Sequence, residues 1–267
     1  QTVGHGLPIE VKFGYSGALK LGRFVHVAGQ LARDRDGVQV PGPLAVKLEI
    51  AYDNVASLLA KLGLSMTAVI QAQIHVTAPL PRSLETVAEV SARRLSLPAT
   101  ALTILEVAGL NDPDGLVEIS AVARADTEAS GEQNVMAEGL RCHSLSNSFA
   151  ARLGAADVVC WGDQIFVSGQ MAVDASGNLL HAGAIDAQFG AALDRVDQAL
   201  RQVDSSISRV LALDRGTTGP RAPERGDNFC AAHRTRMTEY RPTGTMVRVV
   251  QLPIDGALVS VSAIAAR

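Results

Sequence analysis

Cysteine and histidine stand close together at two places. Cys142 and His143 are adjacent, and Cys230 and His233 lie three apart. Thiolate and imidazole are zinc ligands, but a structural zinc site takes four such groups at recurring spacings. No third or fourth ligand comes at such a spacing, so Cys230 and His233 read as one helix face. Ser168 has no His or Asp at a recognisable interval, which argues against a serine nucleophile. Asp34-Arg35-Asp36-Gly37 lacks the later glutamate of a calcium loop and reads as a hairpin tip. The run His233-Arg234-Thr235-Arg236, with Arg241 nearby, is basic, yet Glu239 lies within it and Tyr240 is its one aromatic. Single-stranded nucleic acid is held on stacked aromatics along a cationic groove. The run therefore reads as a solvated helix face, and nucleic acid is not the expected partner.

The bulk numbers point the same way. The chain has 267 residues, 47% of them hydrophobic, and a net charge of −3 with no basic patch. A protein that tracks phosphate backbones needs clustered Lys and Arg. No apolar run nears the roughly 20 residues of a membrane span, and Gln1 to Glu10 has no charged-then-apolar signal pattern. Cys142, Cys160 and Cys230 form no CxxC and cannot all pair, so the expected compartment is the reducing cytoplasm.

The elements that must position any chemistry occur twice. Gly22-Arg23-Phe24-Val25-His26-Val27-Ala28-Gly29-Gln30 reads as a turn, a buried strand and a Gly-Gln exit. Gly162 to Gln170 reads the same way, at a constant offset of 140 positions that holds from Gly14/Gly154 to Gly37/Gly177. A repeat this long is a duplicated domain, since solenoid units run to roughly 20–50 residues. The expected domains are 1–126 and 150–267, with 127–149 as linker.

Each half is expected to run β-β-α-β-α-β-β. In the first, Leu48, Tyr52, Val55, Leu59 and Leu62 recur at three and four along a helix from Leu44 to Leu62. Val69 to Val76 alternates as a strand, Leu84 to Leu95 is a second helix, and Ala99 to Val107 and Leu116 to Ala125 close the unit. In the second, Phe189, Leu193, Val196, Leu200 and Val203 make the matching stripe. The next strand is expected to be short, from Arg209 to Leu213. The second helix then spans Asn228 to Tyr240, and Thr245 to Gln251 and Ala257 to Ala265 are the last strands. Two helices on one face of a mostly antiparallel sheet leave the other face bare, so the bare face must be covered by assembly.

These residues carry a resemblance. Gly14-Tyr15-Ser16-Gly17-Ala18, the Phe-Val-x-Val-Ala-Gly-Gln strand, the Asn54 helix ending at Leu62-Gly63, the Leu-Pro-Ala strand entry and Leu-Val-Glu-Ile-Ser-Ala-Val-Ala resemble the Rid (reactive intermediate deaminase, or YjgF/UK114) family. The likeness covers about 110 residues of each half and is closer in the first. It implies an α+β fold of two chorismate-mutase-like domains in tandem, and a homo-oligomer, with a trimer favoured. It also implies clefts between units and hydrolysis of a small-molecule enamine or imine, such as 2-aminoacrylate, to a keto acid and ammonia. No metal or organic cofactor is implied. Some members are described as endoribonucleases.

The family's substrate-clamping arginine follows Pro-Ala at a strand entry. Here Thr100 occupies that place in the first half and Gly244 in the second. Glu118 matches the family's last-strand carboxylate, where the second half has Ser260. An acid in a half-closed cleft can act on protons; otherwise Glu118 is an outward strand residue opposite Val117 and Ile119. Tyr15 matches the tyrosine that closes the cleft, or is a hydrogen-bonded tyrosine at the core edge; Ala155 replaces it in the second half. Gly29 and Gly169 match the glycine whose backbone meets the ligand, or serve only the strand exit. Ser168 stands beside Gly169. The expected catalytic residues are Glu118 and Tyr15, and the expected binding residues are Gly29, Thr100, Ser168, Gly169 and Arg248. Arg248 shares a strand face with Gly244, about 13 Å away at ~3.3 Å per residue. It either contacts an anionic ligand or makes a surface or interface ion pair. The loss of the arginine from both halves implies either a hydrolase specialised for another C–N substrate or a silent module that binds a metabolite or partner.

Overall fold

The computed structural model describes residues 1–125, 139–218 and 227–267, and only the backbone of 227–230. The side chain of Cys230 and the 126–138 part of the expected linker lie outside the described residues. The first half runs β1 (Thr2–Val3), α1 (Pro8–Phe13), β2 (Ala18–Leu21), β3 (Phe24–Leu31), α2 (Leu44–Ala60), β4 (Val69–Val76), α3 (Leu80–Arg94), β5 (Ala101–Glu106) and β6 (Val117–Arg124). The second runs β7 (Arg141–His143), α4 (Phe149–Arg152), β8 (Val158–Trp161), β9 (Gln164–Gln170), α5 (Ile185–Arg201), β10 (Val210–Thr217), α6 (Asp227–Arg236), β11 (Thr243–Arg248) and β12 (Val259–Ala266).

The two sheets repeat one topology. Their orders are β1-β2-β3-β6-β4-β5 and β7-β8-β9-β12-β10-β11. Only β4–β5 and β10–β11 are parallel; each pair is joined across a helix, as a parallel connection requires. The apolar stripe of α2 does what its spacing promised: Leu48, Tyr52, Val55 and Leu59 are fully buried. Such burial stabilises by about 1.5–3 kcal/mol per side chain. Tyr52 also shares a 2.8 Å hydrogen bond with Ser91 of α3, which fixes one helix against the other. In the second half Phe189, Leu193, Val196, Leu200 and Val203 are buried likewise.

Even the hairpin tips repeat. Asp34 Oδ1 accepts the amides of Asp36 and Val38, and Asp174 Oδ1 accepts those of Ser176 and Asn178. Gly37 and Gly177 follow at φ +81° and +84°, where a side chain would be strained.

Two features depart from the sequence reading. The N-terminal lead-in holds a two-residue strand and a short helix. β10 does not stop at Leu213 but continues through Asp214-Arg215-Gly216-Thr217, paired with β11 and β12 along its length. β7 falls in 135–145, where the sequence leaves room for a short strand or a helix turn.

The bare faces do not wait for other chains: part of each covers the other. Phe24, Ile70, Ala101 and Val122 of the first half pack on Val159, Trp161 and Phe166 of the second. The rings of Phe24 and Phe166 meet edge to face at 5.9 Å. Trp161 lies between the guanidinium groups of Arg23 and Arg124, at 5.0 and 5.2 Å from its ring, within cation–π range. Backbone bonds join the halves as well. The Ala156 amide donates to the carbonyls of Leu97 and Thr100. Glu106 N–H donates to Gln251 O, and Glu106 O accepts from the Val250 amide. Among the described residues no helix is long and apolar enough to cross a membrane.

Candidate functional site

Between the two sheets, where contact is incomplete, lies a cavity of about 220 Å³. Its walls are rows of side chains set by strand register. On the first sheet Gln73 pairs with Thr103, and His75 with Leu105. On the second sheet Asp214 pairs with both Thr245 and Ser262, and Gly216 with both Val247 and Ser260. All of these residues line the cavity. The alternation puts them opposite Ala72, Ile74, Leu102 and Leu213, which face the helices.

Glu118 stands one strand further out. It is the cross-strand partner of His75 on β4 and of Leu31 on β3. Its carboxyl lies directly over the Cα of Gly29, where a β-carbon would fall inside the space the carboxyl fills. Gly29 sits in the irregularity between Val27 and Gln30, where the ladder to β6 slips. A side chain there would displace the acid, so glycine is required by close approach rather than by backbone angle. Burial pushes the His75 imidazole below its ordinary pKa, and the Glu118 charge draws it part of the way back. The pair therefore presents a half-buried carboxylate behind an imidazole that is biased to its neutral form and lines the cavity.

The second half has the same frame and a different content. Ser260 occupies the place over Gly169, and Thr103 of the first half closes in from the other side. The Gly169 amide donates to Thr103 Oγ1 at 3.0 Å. Ser168 Oγ donates to Ala156 O at 2.6 Å and accepts from the Leu102 amide at 2.7 Å. Gln170 Nε2 donates to Asp157, a fully buried carboxylate that also receives Ser148 Oγ and the Leu145 amide. Ser168 and Gly169 are thus spent on joining the halves, while Gln170 is bound within the second half.

The remaining expected residues fall outside the cavity. Tyr15 lines a separate groove of about 50 Å³ with Glu10, Gly29 and Asn54, a groove that Glu118 does not line. Gly29 lines this groove too, while the Glu118 carboxyl lies over it and Asn54 of α2 donates to the carbonyls of Leu31 and Arg33. Thr100 is fully buried, and its hydroxyl donates to Val69 O and Ser96 O. Arg248 is exposed and shares its face of β11 with Met246, which packs on the second core; Thr245 and Val247 face the cavity instead. Over Gly244 lies the guanidinium of Arg215, delivered from the neighbouring strand on the helix side. The same charge lowers the pKa of His233 further, after burial. Burial raises the Cys142 thiol to about 11, which leaves it a poor thiolate. Among the described residues no group of three or more His, Cys, Asp or Glu side chains gathers to hold a metal ion.

His75 and Asp214 were not singled out from the sequence. The alternation of Val69 to Val76 marks the face His75 occupies. What it stands beside depends on the register between β4 and β6, which no local pattern encodes.

The repeated sheet with its glycine, acid and strand exit agrees with comparison to known proteins. The model of the endoribonuclease L-PSP family matches residues 8–125 and again 146–267. The chain belongs to that family, with two copies of its domain in tandem. A member of the YjgF/YER057c/UK114 family from Mycobacterium tuberculosis is 28% identical over 46% of this chain and 98% of its own, with a TM-score of 0.41. A RidA protein from Psychrobacter sp. PAMC 21119 is 26% identical over 41% of this chain and 87% of its own, with a TM-score of 0.38. A chorismatase structure is 14% identical but spans 93% of this chain and 76% of its own, with a TM-score of 0.64. That likeness is one of fold, and it extends across both L-PSP copies. The comparison with curated proteins returned no match.

Proposed function

We propose that the chain is a hydrolase of C–N bonds that releases ammonia from an enamine, imine or related substrate, with Glu118 as its acid–base group and His75 beside it. One observation carries this reading. The Glu118 carboxyl rests over Gly29 as cross-strand partner of a cavity-lining imidazole, whereas the second copy has only the Ser260 hydroxyl in that place. Protonation at carbon and loss of a proton from nitrogen turn an enamine into its imine. Water then adds to the C=N carbon while the carboxylate–imidazole pair takes the water proton and passes it to nitrogen. The resulting carbinolamine expels ammonia and leaves a carbonyl. One water is consumed for each ammonia released. General acid–base groups of this kind contribute about 10²–10⁴-fold in rate.

A second reading, a silent module that binds a metabolite or partner, draws support from Thr100. At the strand-entry position its hydroxyl is fully buried and committed to two carbonyls, so it offers a ligand nothing. An ammonia-release assay separates the two. Wild type is given 2-aminoacrylate generated in situ, together with a panel of imines without a carboxylate. Release faster than the uncatalysed rate from at least one substrate, lost in Glu118→Gln, supports the hydrolase. No acceleration on any of them leaves the binding module.

A further inference from the structure

We infer that the cavity between the halves selects a small ligand carrying a cationic or protonated nitrogen and rejects carboxylates. This rests on the reading that the cavity is the substrate site, and names what that substrate bears. The central row of the second sheet's wall is Thr245, Asp214 and Ser262, with the carboxylate in the middle and a hydroxyl on each side. Among the described residues Asp214 forms no ion pair within salt-bridge distance, and it is accessible to solvent. Across the cavity stand Gln73, Thr103 and His75, the last with the Glu118 charge behind it.

The nearest arginine does not offset this. Arg215 follows Asp214 directly, so its side chain leaves the strand on the opposite face. Its guanidinium lies over Gly244 and acts on His233 of α6. Arg215 also lines the cavity but carries its guanidinium over Gly244; the rest of the wall offers hydroxyls, an amide, an imidazole, two aliphatic groups and one carboxylate. A carboxylate ligand would meet like charge in a space partly shut off from water, which disfavours binding. An ammonium or iminium would sit against Asp214, with Thr245 and Ser262 as hydrogen-bond acceptors. The volume, about 220 Å³, falls below the roughly 300–1,000 Å³ of drug-sized pockets, so the ligand is small.

Isothermal titration of the full chain with butylamine and benzamidine, against butyrate and benzoate as anions of similar size and shape, tests this directly. The cations are expected to bind at least tenfold more tightly than the anions. Asp214→Asn should weaken cation binding at least tenfold, and Asp214→Lys should reverse the preference, each with an unchanged far-UV spectrum. Equal or tighter binding of the carboxylates to wild type would overturn the inference, as would undiminished amine binding in Asp214→Asn. Amine binding without ammonia release from any imine would leave this inference standing and remove the hydrolase reading.

Discussion

Gly29 and Gly169 are the same residue in two copies of one frame, and they have opposite neighbours. Over Gly29 lies a flexible acid at the side of a cavity; over Gly169 lie a serine and a threonine from the other half, all buried. The first arrangement keeps a group that can move protons. The second offers only hydroxyls there and ties its glycine amide to the other half. Once two copies share a chain, one strand exit can be given over to holding the halves together.

The largest expected effect separates the copies by chemistry. Glu118→Gln should lower ammonia release by about 10²–10⁴-fold, while Ser260→Ala, which removes a wall hydroxyl but no proton-transfer group, should cost less than about tenfold. A comparable loss in both would erase the distinction. Stability should separate them next, in the other direction. Ser168→Ala strands the Leu102 amide and the Ala156 carbonyl at the joint, which should cost about 1–3 kcal/mol in chemical denaturation. The first half already has alanine at the matching position, Ala28.

The smallest effect concerns His75. Burial lowers its pKa, and Glu118 opposes that shift. The folded state therefore favours the neutral ring. The stability this contributes is present above the unfolded value of about 6.5 and fades as pH falls below it toward the folded value. NMR titration of the His75 ring should give a midpoint below about 6.5, and a lower one still in Glu118→Gln. A midpoint that rises in the variant would mean the two do not interact.

Much of the fold was legible in the sequence because its signals are local. The stripe from Leu48 to Leu59 and its counterpart from Phe189 to Val203 needed only helical spacing. The hairpin at Asp36-Gly37 needed only turn chemistry. β10 was read too short because Asp214 and Gly216 face a cavity, where a strand has no reason to be apolar, and Arg215 between them opens a run that resembles a loop. α1 is six residues long and mostly exposed, too short to show a period. At the site, Glu118 and Gly29 were visible as members of the repeat. Their contact was not, since it depends on the slip in pairing between β3 and β6. The role of Ser168 was hidden for a similar reason: its partner Leu102 lies 66 positions away.

The most direct test replaces each glycine with alanine and follows both thermal unfolding and turnover. At Gly29 the new methyl meets the mobile end of Glu118, so Gly29→Ala should keep its melting temperature and lose most activity. At Gly169 it meets Ser260 and Thr103 inside the joint, so Gly169→Ala should melt several degrees lower with chemistry otherwise intact. The reverse pattern, or an equal loss of stability at both positions, would contradict the division of one frame into a reactive copy and a structural one.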